Sequence, residues 1–586
     1  MSKNFIFIYD YSSAKNYFKS KNKKQNDIIF SLCLTASNFL DTKKLKSKYI
    51  LDQLSIEDQK KIYVKADNLM KNTLENLDSD YTNQISKKFN LNLENIFYSL
   101  YKLPFTDRLA ALLKLEIILQ REILKNSNYN FIFYLNKNQE DNQCLNIQDL
   151  IKFFFKKKKI NYKIFLAKSD YLSIWDKLKR LKYLFVYTGE LIKICISKVK
   201  KLIRLKNLNK EKKILFLDEC EFFDTYFNRY KDQIIYFDEF KRIKKNYNLN
   251  LEKELKEEEQ FTVDFFCQTN ISKLIKKDFK KNFQKYYSIL FLNKDILLKI
   301  KVACWNIPPV GFMEKKVIVN FLMSNKIKVI GRQHGDTYMQ KVEVYDRHHD
   351  SDYNNCHYWL SYGMSEEDFK LTVGNKKKVS KIIPSYINKI DFNLPRRKID
   401  ILFIPRVHLD FYNYGFQPQK YENYKYNLLK KLDQKKNLNI AVKLVASNPL
   451  TTSNSTNTQL SNISKLKNLK IINDISFKTL LKYNHIDLAI FEELNTCLLE
   501  MLNEKTIIFT LSHPNSTFCN HVNEAIRKRV YFFENLKELE KGINNFLEGS
   551  GNYSHSDKSF SKIYTKEKFN LNLFELTNIR EIELTR

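Results

Sequence analysis

Short apolar runs rich in β-branched and aromatic residues recur along this chain, separated by stretches whose apolar positions follow helical spacing. In the first half, the runs at 5–9, 131–135, 162–167, 214–217 and 234–237 have strand length and strand chemistry. Helical patterns fill 55–77, 106–124 and 171–205, and a helix at 313–324 feeds a strand at 328–331. Past Pro384 and Pro395 the alternation restarts. Strands are expected there at 399–404, 439–445, 470–472, 486–491, 505–511 and 529–533, with helices at 419–432, 476–483, 495–503 and 534–547. Strands alternating with helices of this length predict an α/β fold of parallel sheets covered on both faces. A chain of 586 residues exceeds one core. The pattern divides it into a first unit at 1–383, a connection at 384–397 and a second unit at 398–586.

Ligands of such sheets bind beyond the carboxyl ends of the strands, so the candidate chemistry is sought there. In the second unit Arg406 follows the strand at 399–404, and Lys443 interrupts an otherwise apolar strand. Glu492 and Glu493 follow the strand at 486–491, and Asn495 and Thr496 open a helix that carries Glu500. Two cations, the free amides of a helix start and a carboxylate suit a nucleoside diphosphate. Arg406 and Lys443 would neutralise its phosphates, Asn495 and Thr496 would cap its oxygens, and Glu500 would accept from ribose hydroxyls. In the first unit, Gln333, His334 and Gly335 sit just past the strand at 328–331. His334 is the candidate general base, because an imidazole titrates near neutral pH. Asp336 would orient it or act in its place, and Glu343 would shape the pocket.

Charge and composition narrow this picture. The net charge of +34 invites a nucleic-acid partner, but the lysines are dispersed and no recognised nucleic-acid module is present. Lys is accompanied by much Asn, Ile, Phe and Tyr, a bias that A/T-rich codons explain. No nucleic acid is therefore expected, while contact of basic stretches such as 153–159 with an anionic membrane surface is. The nine cysteines are scattered with no CxxC pair, and no signal peptide is recognised. Together these predict a cytoplasmic protein, with the inner face of the membrane as the surface its basic stretches would meet. Asp346, His348, His349, Asp350 and Asp352 lack metal-ligand spacing, so no metal is expected.

The order of these elements resembles a bacterial family of transferases encoded in surface-polysaccharide loci. The elements are Gln333-His334-Gly335, Glu343, Tyr358-Trp359-Leu360-Ser361-Tyr362-Gly363, Arg406, Lys443, and Thr496-Cys497-Leu498-Leu499-Glu500 before Lys505. The resemblance spans about 313–547, and Asp336, Tyr362 and Lys443 stand where that family tends to have Gly, Trp and Arg. It implies a GT-B-like fold, two Rossmann-like domains with parallel sheets facing a central cleft. It further implies a glycosyltransferase that uses a nucleotide-sugar as co-substrate, with no other cofactor, and a glycan or lipid-linked acceptor. A CDP-alditol glycerol- or ribitol-phosphotransferase and an inactive scaffold of a glycan-assembly complex are the alternatives. Glu492 and Glu500 have the spacing of a carboxylate pair found in retaining GT-B enzymes, which leaves the stereochemical outcome open.

Overall fold

The computed structural model describes residues 3–136, 151–167, 213–242, 268–333, 353–362, 366–367, 381–385, 395–405, 419–444, 466–511 and 520–560, less a few short interruptions within those ranges. Three sheets result, each with every pairing parallel. The α/β class and the Rossmann-like sheets are as the sequence predicts. One more parallel sheet stands at the front of the chain than the pattern separated.

The first sheet contains β1 (Lys3–Ile8), β2 (Ile28–Ser31), β3 (Lys48–Tyr49), β4 (Tyr129–Asn136) and β5 (Tyr162–Ala167), ordered β3-β2-β1-β4-β5. Its helices are α1 (Tyr11–Lys19), α2 (Leu34–Thr42), α3 (Ile56–Lys88) and α4 (Ile96–Ile123). The strand period of two explains its faces. Phe5 and Phe7 lie on one side and stack on Phe131 and Phe133 of β4, with ring centres 5.6 and 4.9 Å apart. Ile6 and Ile8 lie on the other side, packed with Ala14, Tyr17 and Leu40 of α1 and α2. The α3–α4 hairpin is closed by Asp78, whose carboxylate accepts from the amides of Phe97 and Tyr98 at 2.7 and 2.8 Å and so caps the first turn of α4.

The second sheet contains β6 (Ile214–Phe216), β7 (Ile234–Tyr236), β8 (Val302–Trp305), β9 (Lys328–Arg332), β10 (Tyr358–Tyr362) and β11 (Lys381–Ser385), ordered β11-β10-β9-β8-β6-β7. It is accompanied by α5 (Glu221–Tyr226), α6 (Phe237–Arg242), α7 (Gln268–Lys299) and α8 (Met313–Ser324). Lys316 of α8 donates to the Ser99 carbonyl of α4 at 2.9 Å, joining this layer to the helical hairpin. Gly331 is required where it stands, since an added Cβ would lie 2.3 Å from the buried Trp305 ring. Pro384, read from sequence as the start of the connection, belongs to the edge strand β11 and pairs with Ser361. An edge tolerates the missing N–H.

The third sheet contains β12 (Arg397–Ile404), β13 (Ile440–Lys443), β14 (Leu469–Ile472), β15 (Asn484–Phe491), β16 (Ile507–Leu511) and β17 (Tyr531–Phe533), ordered β14-β13-β12-β15-β16-β17. Its helices are α9 (Gln419–Asp433), α10 (Phe477–Tyr483), α11 (Thr496–Met501), α12 (Asn520–Arg529) and α13 (Leu536–Leu547). Ile401–Ile404 and Leu488–Phe491 are buried throughout, as strands covered on both faces must be. No helix among the described residues is long and apolar enough to cross a membrane.

Candidate functional site

A doubly wound sheet opens a crevice where the chain leaves a central strand in one direction and later returns to fill the other side. In the third sheet that point lies between β12 and β15, where the Glu492 amide donates to the Ile404 carbonyl at 3.0 Å just past both strands. The Glu492 side chain is 8% exposed and meets Lys425 of α9, itself 5% exposed, at 3.2 Å. Two charges so thoroughly desolvated stabilise one another by mutual neutralisation. The crossover helix α9 is thereby tied to the turn that leads from β15 into α11.

One strand away, Lys443 ends β13 with its side chain buried and its ammonium donating to the Leu444 carbonyl. The electrostatic neighbours of Cys497 on α11 are Glu500 and Lys443. Burial first, then the Glu500 charge, pushes the Cys497 thiol up to about 12, against the pull of Lys443. The thiol is therefore inert at neutral pH. Glu500 has one carboxyl oxygen buried without a hydrogen-bond partner among the described residues. Its pKa is pushed up to about 7 by burial, with Lys478 of α10 pulling the other way. Near neutrality this carboxyl therefore exists in both protonation states and can accept from or donate to a hydroxyl.

At the second sheet the corresponding point lies between β6 and β8. There both carboxylate oxygens of Asp218 accept from the Asn306 amide, at 3.0 and 3.1 Å. Past β9, Gln333 is fully buried; its amide donates to Leu360 and its Oε1 accepts from the Tyr362 amide at 2.7 Å. Gln333 thus extends the β9–β10 pairing by one residue. Beside it the Arg332 guanidinium lies 4.6 Å from the Phe222 ring centre and 5.4 Å from that of Tyr362.

Of the residues singled out from sequence, Lys443 and Glu500 each act electrostatically on Cys497, while the charge that acts on Glu500 itself is Lys478. The backbone of Thr496 is placed as the first residue of α11, which has six residues rather than the nine expected. His334, Asp336, Glu343, Arg406 and Asn495 lie outside the described residues, as do Glu493 and the Asp346–Asp352 segment. Lys425 was not anticipated. It is one of several lysines on a Lys- and Tyr-rich helix, and its partner lies 67 residues on. Among the described residues no group of His, Cys, Asp and Glu side chains is gathered as for a metal. A groove lined by Leu428, Lys431, Lys435, Glu540 and Ile543 runs between α9 and α13, on the flank of the third sheet and away from its strand ends.

No protein-family model matches the chain, and neither does any curated protein. Among solved structures it is similar to a glycosyltransferase from Rickettsia africae ESF-5, at 14% identity and a TM-score of 0.31, over 64% of this chain and 98% of that one. It is also similar to a UDP-GlcNAc 2-epimerase from Neisseria meningitidis bound to UDP-GlcNAc, at 10% identity and a TM-score of 0.30, over 65% of this chain and 94% of that one. Likenesses this slight establish nothing about activity.

Proposed function

We propose that this protein is a glycosyltransferase of GT-B type that moves a sugar from a nucleotide-sugar donor to a surface-glycan or lipid-linked acceptor. The observation that carries this reading is the third sheet, whose order β14-β13-β12-β15-β16-β17 is that of dinucleotide-binding folds, whose strand β13 ends on Lys443 and whose helix after β15 carries Glu500. The donor diphosphate would lie against Lys443 and Arg406, with Asn495 and Thr496 on its oxygens and Glu500 on the ribose. The first unit, 1–383, would present the acceptor, and 384–397 would connect it to the donor unit at 398–586.

In the reaction the acceptor hydroxyl gives its proton to His334, with Asp336 or Glu343 holding the imidazole. Its oxygen bonds to the anomeric carbon as the bond from that carbon to the diphosphate breaks. Arg406 and Lys443 supply the positive field for the departing diphosphate, so neither metal nor further cofactor is invoked. A lipid-linked acceptor would draw the basic protein to the inner membrane face.

The test is turnover with a panel of nucleotide-sugars. Release of a nucleoside diphosphate supports sugar transfer, whereas CMP released from a CDP-alditol supports alditol-phosphate transfer. His334→Ala is expected to lower turnover by about 10²–10⁴-fold with nucleotide affinity unchanged. Near-normal turnover in that folded variant would remove His334 from the mechanism.

A further inference from the structure

We propose that Glu500 makes capture of the nucleotide-sugar donor proton-linked: its carboxyl is protonated in the free protein and loses that proton to the solvent as the ribose hydroxyls donate to it. This rests on the reading of the third sheet as the donor side. The geometry behind it is a contrast among three glutamates that lie between β15 and β16. Glu492 is buried and its carboxylate meets Lys425 at 3.2 Å. Glu504 is buried and its carboxylate meets Arg396 at 2.8 Å. Glu500 stands between them on α11, where Leu498, Leu499 and Met501 are buried beside it. Among the described residues one of its oxygens is enclosed without a hydrogen-bond partner, and it forms no ion pair. A carboxylate drawn out of water without cation or donor is unstable and takes up a proton instead.

The charged groups that act here are Lys478 from α10, on Glu500 itself, and Lys443 from β13, on the neighbouring Cys497. Burial outweighs the pull of Lys478 and holds the Glu500 carboxyl up to about 7. Cys497 cannot supply the proton in its place, because its thiol is held up to about 12. Hydroxyl donors reverse the balance at Glu500, since hydrogen bonds given to the charged form favour that form. In the bound state the carboxyl O–H bond has broken, its proton has passed to the buffer, and the carboxylate accepts from the ribose. Below about 7 the free protein carries the proton that binding must expel, so acidification weakens the donor. Above that value nothing is left to expel, and the affinity levels off.

The experiment is calorimetric titration of the full chain with a panel of nucleotide-sugars at about pH 6 and about pH 8, in buffers of differing ionisation heat so that released protons are counted. Nucleotide-sugars serve because their diesterified phosphates do not titrate in this range, as the terminal phosphate of a nucleoside diphosphate does. The proteins are the wild type, Glu500→Gln and Lys443→Ala. The wild type is expected to bind one nucleotide-sugar about tenfold more weakly at the lower pH, releasing close to one proton there and almost none at the higher. Glu500→Gln should release none, and its affinity should not change with pH. Binding that Lys443→Ala weakens but that releases no proton in the wild type overturns the proposal and leaves the donor reading standing. Release that persists in Glu500→Gln also overturns it, by placing the proton on another group. If no nucleotide-sugar binds, the donor reading falls and takes the proposal with it. Should Glu500→Gln not fold or not bind, the infrared band of a protonated carboxyl decides in the wild type. Its presence in the free protein at the lower pH and its loss on adding the donor support the proposal, and an unchanged spectrum overturns it.

Discussion

The second and third sheets both bury a cation near their carboxyl ends, and different neighbours hold it in each. On the third, the Lys425 ammonium meets the Glu492 carboxylate at 3.2 Å, and the two charges largely cancel. On the second, the Arg332 guanidinium is braced by the rings of Phe222 and Tyr362. The first arrangement fixes architecture: it pins the crossover helix to the end of β15 at the switch point. The second restrains the plane of a guanidinium at the end of β9. A buried cation is thus held by an opposite charge in one sheet and against aromatic faces in the other.

Breaking the neutral pair should have the largest effect. Lys425→Met takes the ammonium from beside the buried Glu492 carboxylate, and is expected to cost about 3–5 kcal/mol in denaturant unfolding. The double variant Lys425→Met/Glu492→Leu should recover most of that loss, because an apolar pair of similar size asks for no compensation. A single variant as stable as the wild type would show that the pair does not fix the switch point.

The seat of Arg332 is probed next. Gly331→Ala forces a methyl group against Trp305, where the contact would be 2.3 Å. Strand β9 must shift, at a cost of about 1–3 kcal/mol. An unchanged unfolding midpoint would mean that β9 has slack that the packing does not suggest.

A smaller effect separates the two sheets by pH. The folded Glu500 carboxyl keeps its proton up to about 7, whereas the unfolded chain releases it near the ordinary value of 4.5. Between those values the unfolded state binds fewer protons, so this group lowers stability as pH rises through the window and adds no further change above it. Glu500→Gln should therefore gain on the wild type from pH 4.5 to 7, by on the order of 1–2 kcal/mol once partial solvent contact is allowed for. A difference that stays flat across that range would place Glu500 in water.

Much of the fold was legible because apolar periodicity decides it locally. The helix at Met313–Ser324 and the strand at Tyr162–Ala167 fall where the pattern put them. What escaped was short or non-local. Val302–Trp305 is only four residues of strand, and Ile28–Ser31 is no longer. The front sheet was not separated because the long helices α3 and α4 stand between β3 and β4. The lysine-rich α7 hid its apolar side among charges. In the site, Lys443 was visible as a cation breaking an apolar strand, and Glu500 as a carboxylate on the helix after β15. The pairing of Lys425 with Glu492 and the clasp of Phe222 and Tyr362 on Arg332 were not visible. Each joins residues far apart in the chain, and only the closed sheets bring them into reach.

The central claim, that the donor is held at the strand ends of the third sheet, is tested most directly by titrating the wild type and Lys443→Ala with a panel of nucleoside diphosphates. One nucleotide should bind the wild type, and Lys443→Ala, still folded, should bind it about tenfold or more weakly, the loss of one charge-assisted contact. Equal affinity in the two proteins, or no nucleotide bound by the wild type, would contradict the claim.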